Sequence, residues 1–234
     1  VPVRLNKYIS ETGACSRREA DKRIAQGRVT CNGVTAVLGT KVDAGDDVRV
    51  DGQPLGARKK HVYLALNKPV GITCTSEAHV DRNIIELVGH SERIFPVGRL
   101  DKDSEGLILL TNDGDIVNEI LRAEHDNEKE YIVTVDRAIT EMSLNIMAGG
   151  VRIMGEMTRP CRVLRVNQQT FRIILTQGLN RQIRRMCSAL GYQVRRLQRV
   201  RIMHIHLGRM GVGKWRNLSA AELAGLLPRA VPPD

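Results

Sequence analysis

The sequence predicts an α+β protein in two parts: a small helix-and-strand unit over residues 1–52 and a larger unit over 61–234 on a mixed or antiparallel sheet, with 53–60 as linker. Three observations carry that expectation. Residues 3–52 hold two short helical stretches followed by turn-punctuated strands. Leu107 to Leu110 is an unbroken apolar run of strand length, and Lys129 to Val135 alternates apolar with polar. Past Arg162, two strand-like runs and one amphipathic helix follow with turn residues between them.

Leu5, Tyr8 and Ile9 keep helical spacing up to Gly13. Ser16-Arg17-Arg18-Glu19 is a capping-box pattern that starts a second helix, and Gly27 closes it. Val29 to Cys31, the Asn32-Gly33 turn and Asp47 to Val50 read as short strands. Pro54, Gly56 and Arg58-Lys59-Lys60 give 53–60 its linker composition. Val62 to Leu66 reads as a strand ended by Asn67-Lys68-Pro69-Val70-Gly71, and Ile84 to Val88 as a short helix. The polar stretch Gly98 to Gly106 feeds the apolar run, and the turn Thr111 to Gly114 leads to a helix over Asp115 to Arg122. In the alternating strand, Tyr131, Val133 and Val135 share a face. Arg162 to Thr176 reads as two strands around Asn167-Gln168-Gln169. Asn180 is expected to cap a helix that Gly191 ends, with Ile183, Met186, Cys187 and Leu190 inside and Arg181, Arg184, Arg185 and Ser188 outside. Pro228 to Asp234 reads as a disordered tail.

Composition narrows the function. Residues 157–221 contain thirteen arginines, one lysine and no acidic residue, so the rest of the chain is net acidic although the whole carries +10. Clustered arginine suits a phosphate backbone, and structured RNA is the expected partner. No run approaches the roughly 18 apolar residues of a membrane span, and no charged-then-apolar leader is seen, which predicts a cytoplasmic monomer. The first residue is Val rather than Met, so the native start is expected to have been trimmed or left out. Five scattered cysteines without a CxxC pair argue against a disulfide framework and a zinc site, and Cys161 and Cys187 are expected in the core. His204 and His206 are expected on one strand face with Ile202, without a third metal ligand; His61, His79, His90 and His125 are scattered. There is no G-x-x-x-x-G-K-[S/T] loop, and Gly208, Gly211 and Gly213 do not make a dinucleotide fingerprint, so no cofactor is expected.

The stretch Gly98 to Gly106 is the candidate chemistry. It places Asp101 two residues after Arg99 in a loop held by a buried strand, and a nearby guanidinium favours the charged form of a carboxylate. Such a carboxylate can act as a nucleophile or in glycosidic-bond chemistry. A calcium loop starting at Asp101 is ruled out, because its twelfth position is Asn112 and its second half is Leu107 to Leu110.

Gly98-Arg99-Leu100-Asp101, Ser104-Glu105-Gly106-Leu107 and Leu110-Thr111-Asn112-Asp113-Gly114 resemble the catalytic motif of bacterial ribosomal-RNA pseudouridine synthases. The resemblance implies that Asp101 is the essential catalytic residue. It implies that Tyr131, in Lys129-Glu130-Tyr131, packs against the target base and assists proton transfer. It further implies that Arg184, in Asn180-Arg181-Gln182-Ile183-Arg184, pairs with Asp101, and that Leu197 lines the uracil pocket. Arg99, Leu100, Asn180 and Gln182 belong to the same pocket-forming motifs. Arg4 to Ile9, Cys15 to Ala20, Gly27 to Gly33 and Ala44-Gly45-Asp46 resemble the S4 RNA-binding domain, whose helix pair and Asn-Gly turn contact structured RNA. That implies RNA contacts from Arg4, Lys7, Arg17, Arg18, Lys22 and Asn32, joined by Arg181 and Arg185 of the catalytic part. The wording of the motifs is closest to members acting on large-subunit rRNA; small-subunit rRNA and tRNA stay open as targets. A catalytically silent RNA-binding or ribosome-assembly factor on the same fold is the competing expectation.

Overall fold

The computed structural model describes residues 2–57, 59–77, 79–121 and 127–226. Arg58 of the expected linker, the helix end at Arg122, His125 and the tail Pro228 to Asp234 lie outside them. The chain divides into two compact units, Val1–His61 and Val62–Asp234.

In the first unit, β1 (Val3–Arg4) and α1 (Leu5–Glu11) precede α2 (Arg17–Ala25). Then come β2 (Val29–Cys31), β3 (Val34–Thr35), β4 (Lys41–Val42), β5 (Val48–Val50) and β6 (Gln53–Pro54). Leu5 and Ile9 of α1 meet Ala20 and Ile24 of α2 and Val29, Val48 and Val50 of the sheet, each fully or almost fully buried. Ser16 Oγ accepts from Glu19 N as expected, but Glu19 turns its carboxylate to Arg23 Nε at 3.2 Å, so the reciprocal arm of the capping box is replaced by an i,i+4 ion pair. The Asn32-Gly33 turn has both residues at positive φ, as a two-residue hairpin requires. The stretch 53–60 differs from the expected linker. Gln53–Pro54 is a strand on the edge beside β5, where proline's missing N–H costs nothing, and Lys59 N donates to Glu11 O, so the unit holds the chain through His61.

The second unit is one nine-stranded mixed sheet with helices on it. Its elements are β7 (Tyr63–Lys68), α3 (Ile84–Val88), β8 (Phe95–Val97), β9 (Glu105–Thr111), α4 (Gly114–Leu121), β10 (Lys129–Val135) and α5 (Glu141–Gly149). The hairpin of β11 (Arg152–Ile153) and β12 (Glu156–Met157) is followed by β13 (Arg162–Arg165), β14 (Thr170–Leu175), α6 (Gln182–Ala189) and β15 (Val194–Ile202). β16 (Ile205–His206), β17 (Trp215–Asn217) and α7 (Ala220–Ala224) complete it. The main path runs β13-β14-β10-β15-β9-β7-β17; β15 and β9 are parallel and the other neighbours antiparallel. No helix among the described residues is long and apolar enough to cross a membrane.

The run Leu107 to Leu110 is apolar throughout because both faces of β9 are covered. Ile108 and Leu110 join Leu64, Leu66, Ile84 and Val88 on one side, while Leu107 and Leu109 join Ile116 and Ile120 on the other. β7 runs two residues beyond the expected strand, since Asn67 and Lys68 are buried and pair with Leu107 and Gly106. α6 starts at Gln182, not beside Asn180: its N-cap is Arg181 in the left-handed conformation, with no side-chain cap. Asn180 is occupied instead, its backbone oxygen and Oδ1 accepting from Arg185. His204 lies in the turn between β15 and β16, with Nε2 against Glu222 O at 2.8 Å, so it and His206 are not on one strand. Cys187 is buried and Cys161 half-buried, and burial pushes their thiols up to about 12 and about 11.

Candidate active site

The loop from β8 to β9 presents Asp101 and is fixed at many points. Leu100 is buried between β9 and α3. Asp101 O accepts from Ser104 N at 3.0 Å, and Lys102 O accepts from Gly71 N at 2.8 Å. From α6, Arg184 Nη2 donates to Asp103 O at 2.9 Å and to the buried Ser104 Oγ at 3.2 Å. At the loop's end Gly106 lies beside Arg199 of β15 so closely that a Cβ would stand 2.3 Å from Arg199 O; glycine is demanded there by both contact and its φ of +105°.

A cavity of about 470 Å³ opens over this loop. Asp101, Tyr131, Arg184, Arg99, Leu100, Asn180, Arg181, Gln182 and Leu197 all line it, although they come from four separate segments of sequence. Its size is that of a small-molecule site. Asp101's side chain is 34% exposed, accessible to a substrate yet held by its loop. The Tyr131 hydroxyl has no hydrogen-bond partner among the described residues, and the ring packs between two core clusters. Gln182 is buried; its Oε1 accepts from Leu179 N and its Nε2 donates to Gln177 Oε1, so it braces the turn entering α6.

One pairing differs from expectation. The guanidinium near Asp101 belongs to Arg181, whose Nη1 is 3.8 Å from Asp101 Oδ2 and 3.4 Å from Asp103 Oδ2. Arg184 takes the loop's backbone oxygen at Asp103 and the Ser104 hydroxyl instead. Arg185 is exposed and does not line the cavity. Arg4, Arg17, Arg18 and Lys22 are exposed on the first unit, while Lys7 lies 3.7 Å from Glu11. Asn32 is exposed as well; its Nδ2 donates to Asp46 and its Oδ1 accepts from Asp47 N, tying the turn to the strand opposite.

Three cations in or beside the site were not singled out from sequence. Lys68 is fully buried, its Nζ donating to Pro69 O and Ile72 O; burial pulls its ammonium down, against the pull of Cys74 and Asp101. Lys129 and Arg199 line the cavity. The signal for Arg199 was its place two residues after Leu197 on one strand face, which turns it inward.

A mixed sheet that holds an accessible carboxylate among cations in a nucleoside-sized cavity defines an enzyme acting on a polyanion. The match of residues 62–189 to the RNA pseudouridylate synthase family, and of residues 3–48 to the S4 domain, agrees with this. The chain is 55% identical over 226 residues to the dual-specificity RNA pseudouridine synthase RluF of Escherichia coli K12, covering 96% of this chain and 78% of that one. It is 34% identical to the ribosomal large subunit pseudouridine synthase B of Bacillus subtilis, covering 95% of each. A solved pseudouridylate synthase superposes with a TM-score of 0.71 at 29% identity, covering 96% of this chain and all of that one. The chain belongs to the RNA pseudouridylate synthase family.

Proposed function

We propose that this enzyme isomerises a uridine of large-subunit ribosomal RNA to pseudouridine, with Asp101 as its catalytic group. The observation that carries the reading is Asp101 itself, fixed by its loop, open to a cavity of about 470 Å³, and faced there by Tyr131, Arg181 and Leu197. The reaction breaks the C1′–N1 bond, turns the base and rejoins it through C5. It needs one carboxylate, to attack C1′ or to remove the C2′ proton, and a pocket that keeps the freed base from water. Tyr131 and Leu197 supply the apolar walls for the ring. Arg184 keeps the loop in place. A uridine in folded RNA is extruded to enter, at a cost of a few kcal/mol. The S4 domain's exposed Arg4, Arg17, Arg18 and Lys22 supply phosphate contacts. The large-subunit target is supported by the Bacillus subtilis relative's name; the Escherichia coli relative is named for dual specificity, so a second RNA is a natural test substrate.

Asp101→Asn keeps the shape and removes the charge. Tritium release from C5-labelled uridine in rRNA is expected to stop, while RNA affinity stays within a few-fold of wild type. Near-normal turnover would overturn the assignment, and turnover lost together with RNA binding would make Asp101 an RNA contact instead.

A further inference from the structure

One face of β10 and β15 is turned to the cavity. Tyr131 stands opposite Arg199 in the antiparallel register, Leu197 opposite Val133, and Lys129 lies two residues before Tyr131; Lys129, Tyr131, Leu197 and Arg199 all line the cavity. Arg199 is only 4% exposed. Its Nε donates to Leu107 O at 2.7 Å and its Nη1 to Arg99 O at 3.5 Å, but its Nη2 is buried with no partner. Lys129 is half-buried and its Nζ donates to one backbone oxygen, Asn127 O, at 3.1 Å. Burial first, and the charge of Arg199 next, pull its ammonium below the ordinary lysine value. Among the described residues no carboxylate pairs with either group. Two desolvated cations without a counter-ion are costly in a resting protein. Such a pair favours negative charge brought into the cavity.

We propose that Lys129 and Arg199 are further catalytic groups, which stabilise the negative charge that develops on the uracil ring as its C1′–N1 bond breaks. This rests on the isomerase reading above. When that bond breaks, its electron pair leaves with N1 and spreads over the O2 and O4 carbonyls, while Asp101 takes C1′ or the C2′ proton. Rejoining forms the C1′–C5 bond and frees Asp101; C5 gives up its proton and N1 takes one, so charge and atoms end balanced. The pair of cations is fixed before the reaction and meets a charge that exists only midway, where one preorganised donor is worth about 100- to 1000-fold in rate.

Fluorine at C5 stabilises the detached base by itself, and this separates charge stabilisation from pocket shape. Single-turnover rearrangement is measured for wild type, Lys129→Met, Lys129→Arg and Arg199→Lys, on RNA carrying uridine or 5-fluorouridine at the target, by chromatography of nuclease digests. Lys129→Met is expected to slow the uridine reaction about 100-fold. The loss is expected to shrink at least several-fold on the fluorinated RNA, and Lys129→Arg to recover most of the rate. Arg199→Lys is expected to follow the same pattern. If Arg199→Lys fails to fold, Lys129→Met decides, since it removes only the bond to Asn127 O. Equal losses on both RNAs, or no loss on uridine, would overturn the proposal. Failure of the isomerase reading is a separate result, seen as absence of rearrangement of the uridine RNA by wild type.

Discussion

Arg184 holds Asp103 by its backbone oxygen, at 2.9 Å, and thereby fixes the loop two residues beyond the carboxylate that the cavity exposes. Arg181 reaches the same loop through its carboxylates, at 3.8 Å from Asp101 and 3.4 Å from Asp103, with its own side chain 42% exposed. The two arginines therefore predict different losses. Arg184→Ala is expected to lower the single-turnover rate about 100-fold with little change in RNA affinity, as a small displacement of a reacting group does. Arg181→Ala removes an exposed pair worth roughly 0–1 kcal/mol, so its rate falls less than about tenfold. A larger loss for Arg181 than for Arg184 would reverse these roles.

Gly106→Ala is expected to destabilise the second unit by ~2 kcal/mol or more, because backbone, not a flexible side-chain end, occupies the space of the new Cβ. Urea midpoints measure this. An unchanged midpoint would mean that β9 and β15 can part without cost.

Acid is expected to loosen α7. Glu222 accepts from both Arg216 Nη atoms at 2.7 Å and completes the capping box of Ser219. The Arg216 hydrogen bonds are the main cause that holds its carboxyl well down, at about 2. Because the folded value is depressed, the stabilisation is complete above the unfolded value of ~4.3 and is lost as pH falls from there to about 2. Trp215, the chain's single tryptophan and Arg216's neighbour, reports the change by fluorescence. Glu222→Gln should abolish that pH dependence.

Neutralising Arg17 and Arg18 is expected to weaken binding to folded rRNA and flatten its salt dependence by about one unit of slope per lost phosphate contact. The readout is affinity against salt concentration. Unchanged affinity and slope would remove the first unit's helix pair from the RNA surface.

The elements were legible where one local rule decides. Asp101's loop stands between a motif and an apolar run, and both survive in the structure. What could not be read was how distant residues answer one another. Among the described residues, at least seven of the thirteen arginines in the basic stretch are ion-paired with acids outside it: Arg162 with Glu128, Arg165 with Glu141, Arg172 with Glu130, Arg181 with Asp101 and Asp103, Arg196 with Glu105, Arg201 with Glu128 and Glu130, and Arg216 with Glu222. A block of charge in sequence is thus not a map of surface charge. The Asn180 cap failed for a similar reason: Arg185 competes for that side chain, and no short pattern ranks the two bonds. Lys129 sits inside a strand whose alternation fits an ordinary half-buried surface, so its place in the cavity emerges only once β15 lies beside it.

The order β10-β15-β9 also constrains how this enzyme comes into being. β15 is the wedge between two strands made long before it, and the contacts of Arg199 with Leu107 and Arg99 span 92 and 100 residues of chain. A polypeptide growing from its N-terminus carries Asp101 and Tyr131 well before the strand that joins their two halves of the sheet exists. Such long-range closure is slow compared with local helix and hairpin formation. The sheet stays open at its middle until β15 has been made, with the edges of β9 and β10 that face it unpaired in the interval. Catalytic competence is therefore acquired only once β15 has been made, and a nascent chain cut short before β15 can bind RNA through its S4 domain without being able to act on it.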